Sequence, residues 1–180
     1  LGGCAGRGAA SAGGSKKLDP QETVREVARI RGLPDTRATR IVIDQPGAFS
    51  SALEIKAKKD AIGPTAADTP AFFAAFDFPP PNARTGSSLD EVLGEQIIAF
   101  YDEWSHSIHV RADKLAADDD EPTLVLAHEI THSLQVQNLP HPDIAGNKEE
   151  DERLALLSVM EGDAMLVMLA HGAWRRRIPL

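Results

Sequence analysis

The segment that most constrains this chain is Val125-Leu126-Ala127-His128-Glu129-Ile130-Thr131-His132-Ser133-Leu134. Asp118 to Glu121 and Pro122 mark a helix start, because acids favour the positive end of a helix and Pro fits its first turn. Asn138 and Pro140 mark its end, so the spacing predicts a helix over residues 122–137. No proline interrupts it, and its flanks are apolar and uncharged. Residues four apart share one face of a helix, so His128 and His132 can reach a single ion. Zinc accepts neutral imidazole nitrogens at about 2.0–2.1 Å. Glu129 is next to His128 and can take a proton from water activated by such an ion, then pass it to a leaving amine. The plainer reading is two surface histidines on an amphipathic helix.

Composition narrows the rest. The chain has 180 residues, 26% charged and 42% apolar, with a formal charge of −8. These values suit one domain, with or without a tail, and exclude a wholly disordered or fibrous chain. An acidic balance argues against generic nucleic-acid binding, which needs clustered Lys and Arg. Residues 1–59 carry +5 and residues 60–180 carry −13. The one cysteine, Cys4, excludes an internal disulfide framework and Cys ligation of a metal. No unbroken apolar run of about 18 residues suggests a membrane-spanning helix.

Along the chain, residues 1–18 read as a flexible Gly/Ala/Ser tether. Asp19 is a good N-cap before Pro20, and Gly32 and Pro34 stop the helix they open. Residues 39–43 read as a strand and residues 49–59 as an amphipathic helix. Short helices are expected at residues 70–76 and 88–94. Residues 95–102 and 107–111 form a hairpin pattern. A long helix runs over residues 148–171, with Arg175 to Arg177 beyond its end. The fold class is α+β: a small sheet over a motif helix, and a second helix bearing a ligand.

A catalytic zinc needs a third protein ligand. His141, Asp143, His171 and the acids between Glu149 and Asp163 follow the motif. Glu161 is preferred, as an acid in the middle of an apolar helix: a buried carboxylate is costly unless paired or metal-bound. Gly162 beside it suggests close approach to the motif helix. The plainer reading places Glu161 on the solvated face. Asp163 points about 200° away, which makes it a structural hydrogen-bond partner and a possible outer support of the site. Tyr101, His106, His109 and His171 are the candidate oxyanion donors, Tyr101 and His109 foremost, and ordinary surface or core roles suit each of them too.

His128-Glu129-Ile130-Thr131-His132 with downstream Glu161-Gly162-Asp163-Ala164 resembles gluzincin-type zinc metallopeptidases, in particular compact bacterial minigluzincin-like proteins. The likeness extends through Arg31-Gly32-Leu33, Gln96-Ile97-Ile98-Ala99-Phe100-Tyr101-Asp102 and Ile108-His109-Val110-Arg111. It implies a zincin-like domain over residues 19–180, with a strand above the cleft. It further implies zinc held by His128, His132 and Glu161, Glu129 as the base, and a peptide or protein substrate. Two departures stand out. Gluzincins often carry an Asp four residues after the ligand Glu, where this chain has Met165, and the chain ends soon after the second helix. They motivate the alternative of a non-catalytic envelope protein with a vestigial or structural zinc site.

Leu1-Gly2-Gly3-Cys4 before a Gly/Ser tract resembles a bacterial lipobox. It implies lipidation of Cys4, a chain that begins inside a signal peptide, and an envelope location reached only through that anchor. The plainer reading is a free cysteine in a disordered tail.

Overall fold

The computed structural model describes residues 18–59, 97–115, 120–140 and 150–179. Within them the chain forms, in order, α1 (Pro20–Arg31), β1 (Arg40–Asp44), α2 (Pro46–Lys59), β2 (Ala99–Asp102), β3 (Ser107–Arg111), α3 (Ala112–Leu115), α4 (Glu121–Asn138) and α5 (Glu150–Arg175). This is a mixed α+β fold. The tether with Cys4, the helices expected at residues 70–76 and 88–94, and the candidates His141 and Asp143 lie outside the described residues.

Local sequence explains the ends of α1. The Asp19 carboxylate accepts the backbone N–H groups of Gln21 at 3.0 Å and Glu22 at 3.2 Å, satisfying donors that the first helical turn leaves open. Gly32 closes the helix at φ 74°, where its N–H donates to the Ala28 carbonyl, a left-handed cap that glycine adopts without strain. The start of α4 departs from expectation in detail. Asp120 occupies the cap position but makes no side-chain cap bond.

The sheet has strand order β1-β3-β2. β2 and β3 are the expected antiparallel hairpin, with Tyr101 opposite Ile108 and Phe100 opposite His109. In its turn the Asp102 carboxylate accepts the Trp104 N–H and the Ser105 hydroxyl. β1 adds in parallel to β3, Arg40 opposite Ser107 through Asp44 opposite Arg111. Strand alternation then divides the side chains. Ala99, Tyr101, Ile108 and Val110 face the main core with Val24 and Val27 of α1 and Leu126, Ile130 and Leu134 of α4. Phe100 and His109 share the opposite face, where Phe49 of α2 meets Phe100 edge-on at 5.1 Å.

α5 runs past His171 to Arg175, so Arg175 is helical rather than beyond the end. It turns Ala164, Val167 and His171 into the protein. The expected close approach at Gly162 is not there: a Cβ on Gly162 would meet nothing within 4 Å. Gly172 is the tight position, since a Cβ there would lie 2.8 Å from the Leu124 side chain. By length and composition alone, Leu154–Arg175 is long and apolar enough to cross a membrane. Glu161 and Asp163 interrupt its apolar run. Both carboxylates are costly in hydrocarbon, and the helix packs along α4 and α1.

Candidate metal centre

α4 carries the centre because its back is anchored. Leu126, Ala127, Ile130 and Leu134 are fully buried, which leaves His128, Glu129 and His132 on the remaining arc. α5 passes α4 in the reverse direction: Gly172 lies against Leu124, Glu161 meets the imidazoles, and Met160 meets Gln135.

Three ligating side chains converge. The Nε2 atoms of His128 and His132 are 3.0 Å apart. Glu161 Oε2 is 3.2 Å from the first and Oε1 is 3.4 Å from the second. A tetrahedral ion with bonds of about 2.05 Å needs donor separations of about 3.3 Å. The group can therefore hold a metal ion, and two nitrogens and one oxygen leave a fourth position open. Glu161 reaches the pair while its side chain is 58% exposed. The burial argument for it is thus corrected: the side chain extends along the rim of the helix toward the imidazoles rather than sitting in an apolar interior.

Gln135 fixes the tautomer of His132. Its amide nitrogen donates to the Met160 carbonyl at 3.0 Å and to Asp163 Oδ2 at 2.8 Å. Both of its donors being engaged, its Oε1, 3.0 Å from His132 Nδ1, accepts a proton from that nitrogen. Neutral His132 then presents its Nε2 lone pair toward His128 and Glu161, as metal binding requires. Asp163 is held in turn by Arg31, whose Nε lies 2.8 Å from Oδ1 and 2.9 Å from Oδ2. Asp163 is therefore the expected hydrogen-bond partner, and it supports the site through Gln135. Sequence reading missed Gln135. The available signal was a polar residue three positions after His132, on the same helical face. A cavity of about 230 Å³ lies against Arg31, Gln135, Met160 and Asp163 rather than at the imidazoles.

Glu129 faces the sheet. Its Oε2 accepts the backbone N–H of Tyr101 at 2.8 Å. Burial pushes its carboxyl up to about 7, with the Glu161 charge adding to the effect and the Tyr101 N–H and Lys56 opposing it. Burial and the neighbouring His132 hold His128 below the ordinary histidine value, against the pull of Glu161.

The candidate oxyanion donors are engaged elsewhere. Tyr101 contributes its backbone to the centre, while its side chain packs in the core. Its hydroxyl lies 3.3 Å from His106 Nδ1, and burial pushes the phenol up to about 12. His106 is also 3.4 Å from Arg37. His109 points to the α2 side of the sheet, where Nδ1 is 2.7 Å from Asp44 and the ring stacks on Phe100 at 4.9 Å. Strand alternation separates His109 from Ile108 and Val110, which face α4. His171 is fully buried, its Nε2 2.8 Å from Glu26, and does not join the ligand group.

Comparison with known proteins returned no matching family model, no curated relative and no matching solved structure.

Proposed function

We propose that this chain is a zinc-dependent peptidase of gluzincin type. The observation that carries the reading is the convergence of His128, His132 and Glu161 at 3.0–3.4 Å, with Glu129 beside them. Two imidazoles and one carboxylate suit zinc, which when bound makes water more acidic and polarises a substrate carbonyl. Glu129 supplies proton transfer. Oε2 is committed to the Tyr101 N–H, which leaves Oε1 to accept a proton from the attacking water. A carboxyl poised near 7 both accepts that proton and returns it to the leaving amine. Gln135, Asp163 and Arg31 hold His132 in register. Among the described residues β2 is an edge strand, and an extended peptide adding along it would lie beside the centre, pairing with backbone groups other than the Tyr101 N–H that Glu129 holds. In this reading the lipobox-like Leu1-Gly2-Gly3-Cys4 supports a tether through Cys4 to a bacterial envelope.

A second reading is a non-catalytic zinc-binding protein of the envelope. It is favoured by the engagement of Tyr101, His106, His109 and His171 with other partners. Metal analysis together with hydrolysis of a peptide library by the wild-type chain and Glu129→Gln separates the two. Stoichiometric zinc with cleavage that Glu129→Gln abolishes supports the peptidase. Stoichiometric zinc with no cleavage of any peptide supports the second reading.

A further inference from the structure

Among the described residues, α5 keeps one broad apolar face uncovered. Leu166 is 69% exposed, Leu169 60% and Met165 46%, and Val159 beside them is 69% exposed. Ala155, Ser158, Gly162, Met165 and Leu169 recur at spacings of three, four, three and four, the period of a helix-pairing seam. The seam is polarised in size. Its first half is Ala, Ser and Gly, and its second half is Met and Leu. It is polarised in charge as well: exposed Asp151 begins the helix and exposed Arg177 follows its end, while Arg176 is held by Asp120 at 3.1 Å. Gly162 stands at the middle of the 26 residues, where a Cβ would meet nothing.

We infer that this face pairs with the same face of a second copy of the chain, antiparallel, about a twofold axis at Gly162. Antiparallel pairing sets Leu169 and Leu166 of one copy over Ala155 and Ser158 of the other, bulky against small, and Met165 over Val159. Parallel pairing would set bulky against bulky and leave voids along the small half. The same antiparallel arrangement brings Asp151 of each helix to within about a turn of the partner's Arg177. Self-complementarity of this kind is what an isologous twofold contact requires. Gly162 allows the backbones to approach at the axis. The Ser158 hydroxyl already donates to the Leu154 carbonyl at 2.8 Å, so covering it leaves no open donor. A lipid surface matches the face less well, because the acidic first turn would be pressed against the headgroups. Glu161 is about 100° around the helix from Gly162 but about 40° from Met165, so the metal group flanks the contact.

The test uses the full chain, first by light scattering and then by cysteine pairing in a Cys4→Ser background. The wild-type chain is expected at twice its 19.3 kDa mass. Leu166→Glu is expected at half the wild-type value, with helical content and zinc binding unchanged. Under oxidation, Gly162→Cys crosslinks to itself. Ala155→Cys and Leu169→Cys do not crosslink singly but do so when co-expressed, since a disulfide needs Cα atoms within about 7 Å. A monomeric wild type, a dimer that survives Leu166→Glu, or self-crosslinking of Ala155→Cys would each overturn the inference. So would a monomer that floats with phospholipid vesicles.

Discussion

Nδ1 of His132 and Oε1 of Gln135, one turn apart on α4, are 3.0 Å from each other, and the amide of Gln135 is committed on its other side to Met160 and Asp163. The orientation of one metal-facing imidazole is thus set from Arg31 on α1, through Asp163 on α5, to Gln135. An outer partner of this kind is worth about 10–100-fold in metal affinity. Gln135→Leu keeps the bulk and removes the relay. Its zinc dissociation constant, measured by chelator competition, is expected to rise by that factor with the far-ultraviolet dichroism unchanged. Equal affinity in wild type and Gln135→Leu would show that His132 is oriented without the relay.

Glu129 gives one substitution with two readouts. Its carboxyl stands near 7, above the ordinary 4.5, so the folded state holds a proton that the unfolded state has released over that interval. The stabilisation is full below pH 4.5 and is lost as pH rises through about 7. Glu129→Gln stays neutral throughout and its amide oxygen can still accept the Tyr101 N–H. In metal-free protein it is expected to match wild-type stability at pH 4.5 and exceed it at pH 8 by about 2–3 kcal/mol, measured by urea unfolding. In zinc-loaded protein the same variant is expected to lose about 10²–10⁴-fold in peptide hydrolysis. Lower stability than wild type at pH 8 would contradict the raised carboxyl.

Much of this arrangement is legible in the sequence where the signals are local. The caps of α1, the hairpin and the two metal-facing helices follow from Asp19, Gly32, strand alternation and the His-Glu-x-x-His spacing. What stayed hidden depends on partners distant in the chain. β1 pairs with β3 across more than sixty residues, and no periodicity marks that choice. Glu161 was selected for an assumed burial, yet the side chain is 58% exposed. A ligand that reaches from a helix rim does not need an apolar surrounding. His109 looked like a cleft residue because it lies on the hairpin, but the register with Phe100 turns it to the other face.

Glu26 and His171 make a second prediction about pH. The imidazole is fully buried with Nε2 on the carboxylate at 2.8 Å, while its Nδ1 is buried without a partner. Neutral His171 donates from Nε2 to Glu26, and protonation would bury an unpaired N–H at Nδ1. Burial accordingly holds the group below its ordinary 6.5, despite the pull of Glu26. Below that value the unfolded chain takes up a proton that the native state resists. Stability is therefore lost as pH falls from about 6.5 and is flat above it. The wild-type chain is expected to lose stability between pH 7.5 and 5.5 more steeply than His171→Gln, by at most about 1.4 kcal/mol per pH unit. Urea midpoints in chelator at the two pH values measure the difference. Identical slopes would place the His171 titration outside this range.

Gly172 tests how tightly α5 is seated on α4. A Cβ there would be 2.8 Å from a methyl carbon of Leu124, closer than carbon atoms approach without repulsion. In an exposed helix interior, replacing Gly by Ala is worth about 1 kcal/mol in favour of the helix. At this position the clash opposes that gain, because either Leu124 leaves its rotamer or the helices separate, at a cost of about 1–3 kcal/mol. Gly172→Ala is expected to gain less stability than that, because the half-buried end of Leu124 must shift to admit the methyl. Leu124→Ala in the same chain makes room for the new methyl, so the double variant is expected to be more stable than the sum of the two single changes, by at least about 0.5 kcal/mol. Gly172 lies about three turns along α5 from Glu161, but Leu124 is one turn before His128 on α4, so zinc affinity in Gly172→Ala is expected to stay within about twofold of wild type when Leu124 alone gives way and to fall when the helices separate. A gain of the full amount with additive single effects would show that the two helices have slack at this contact.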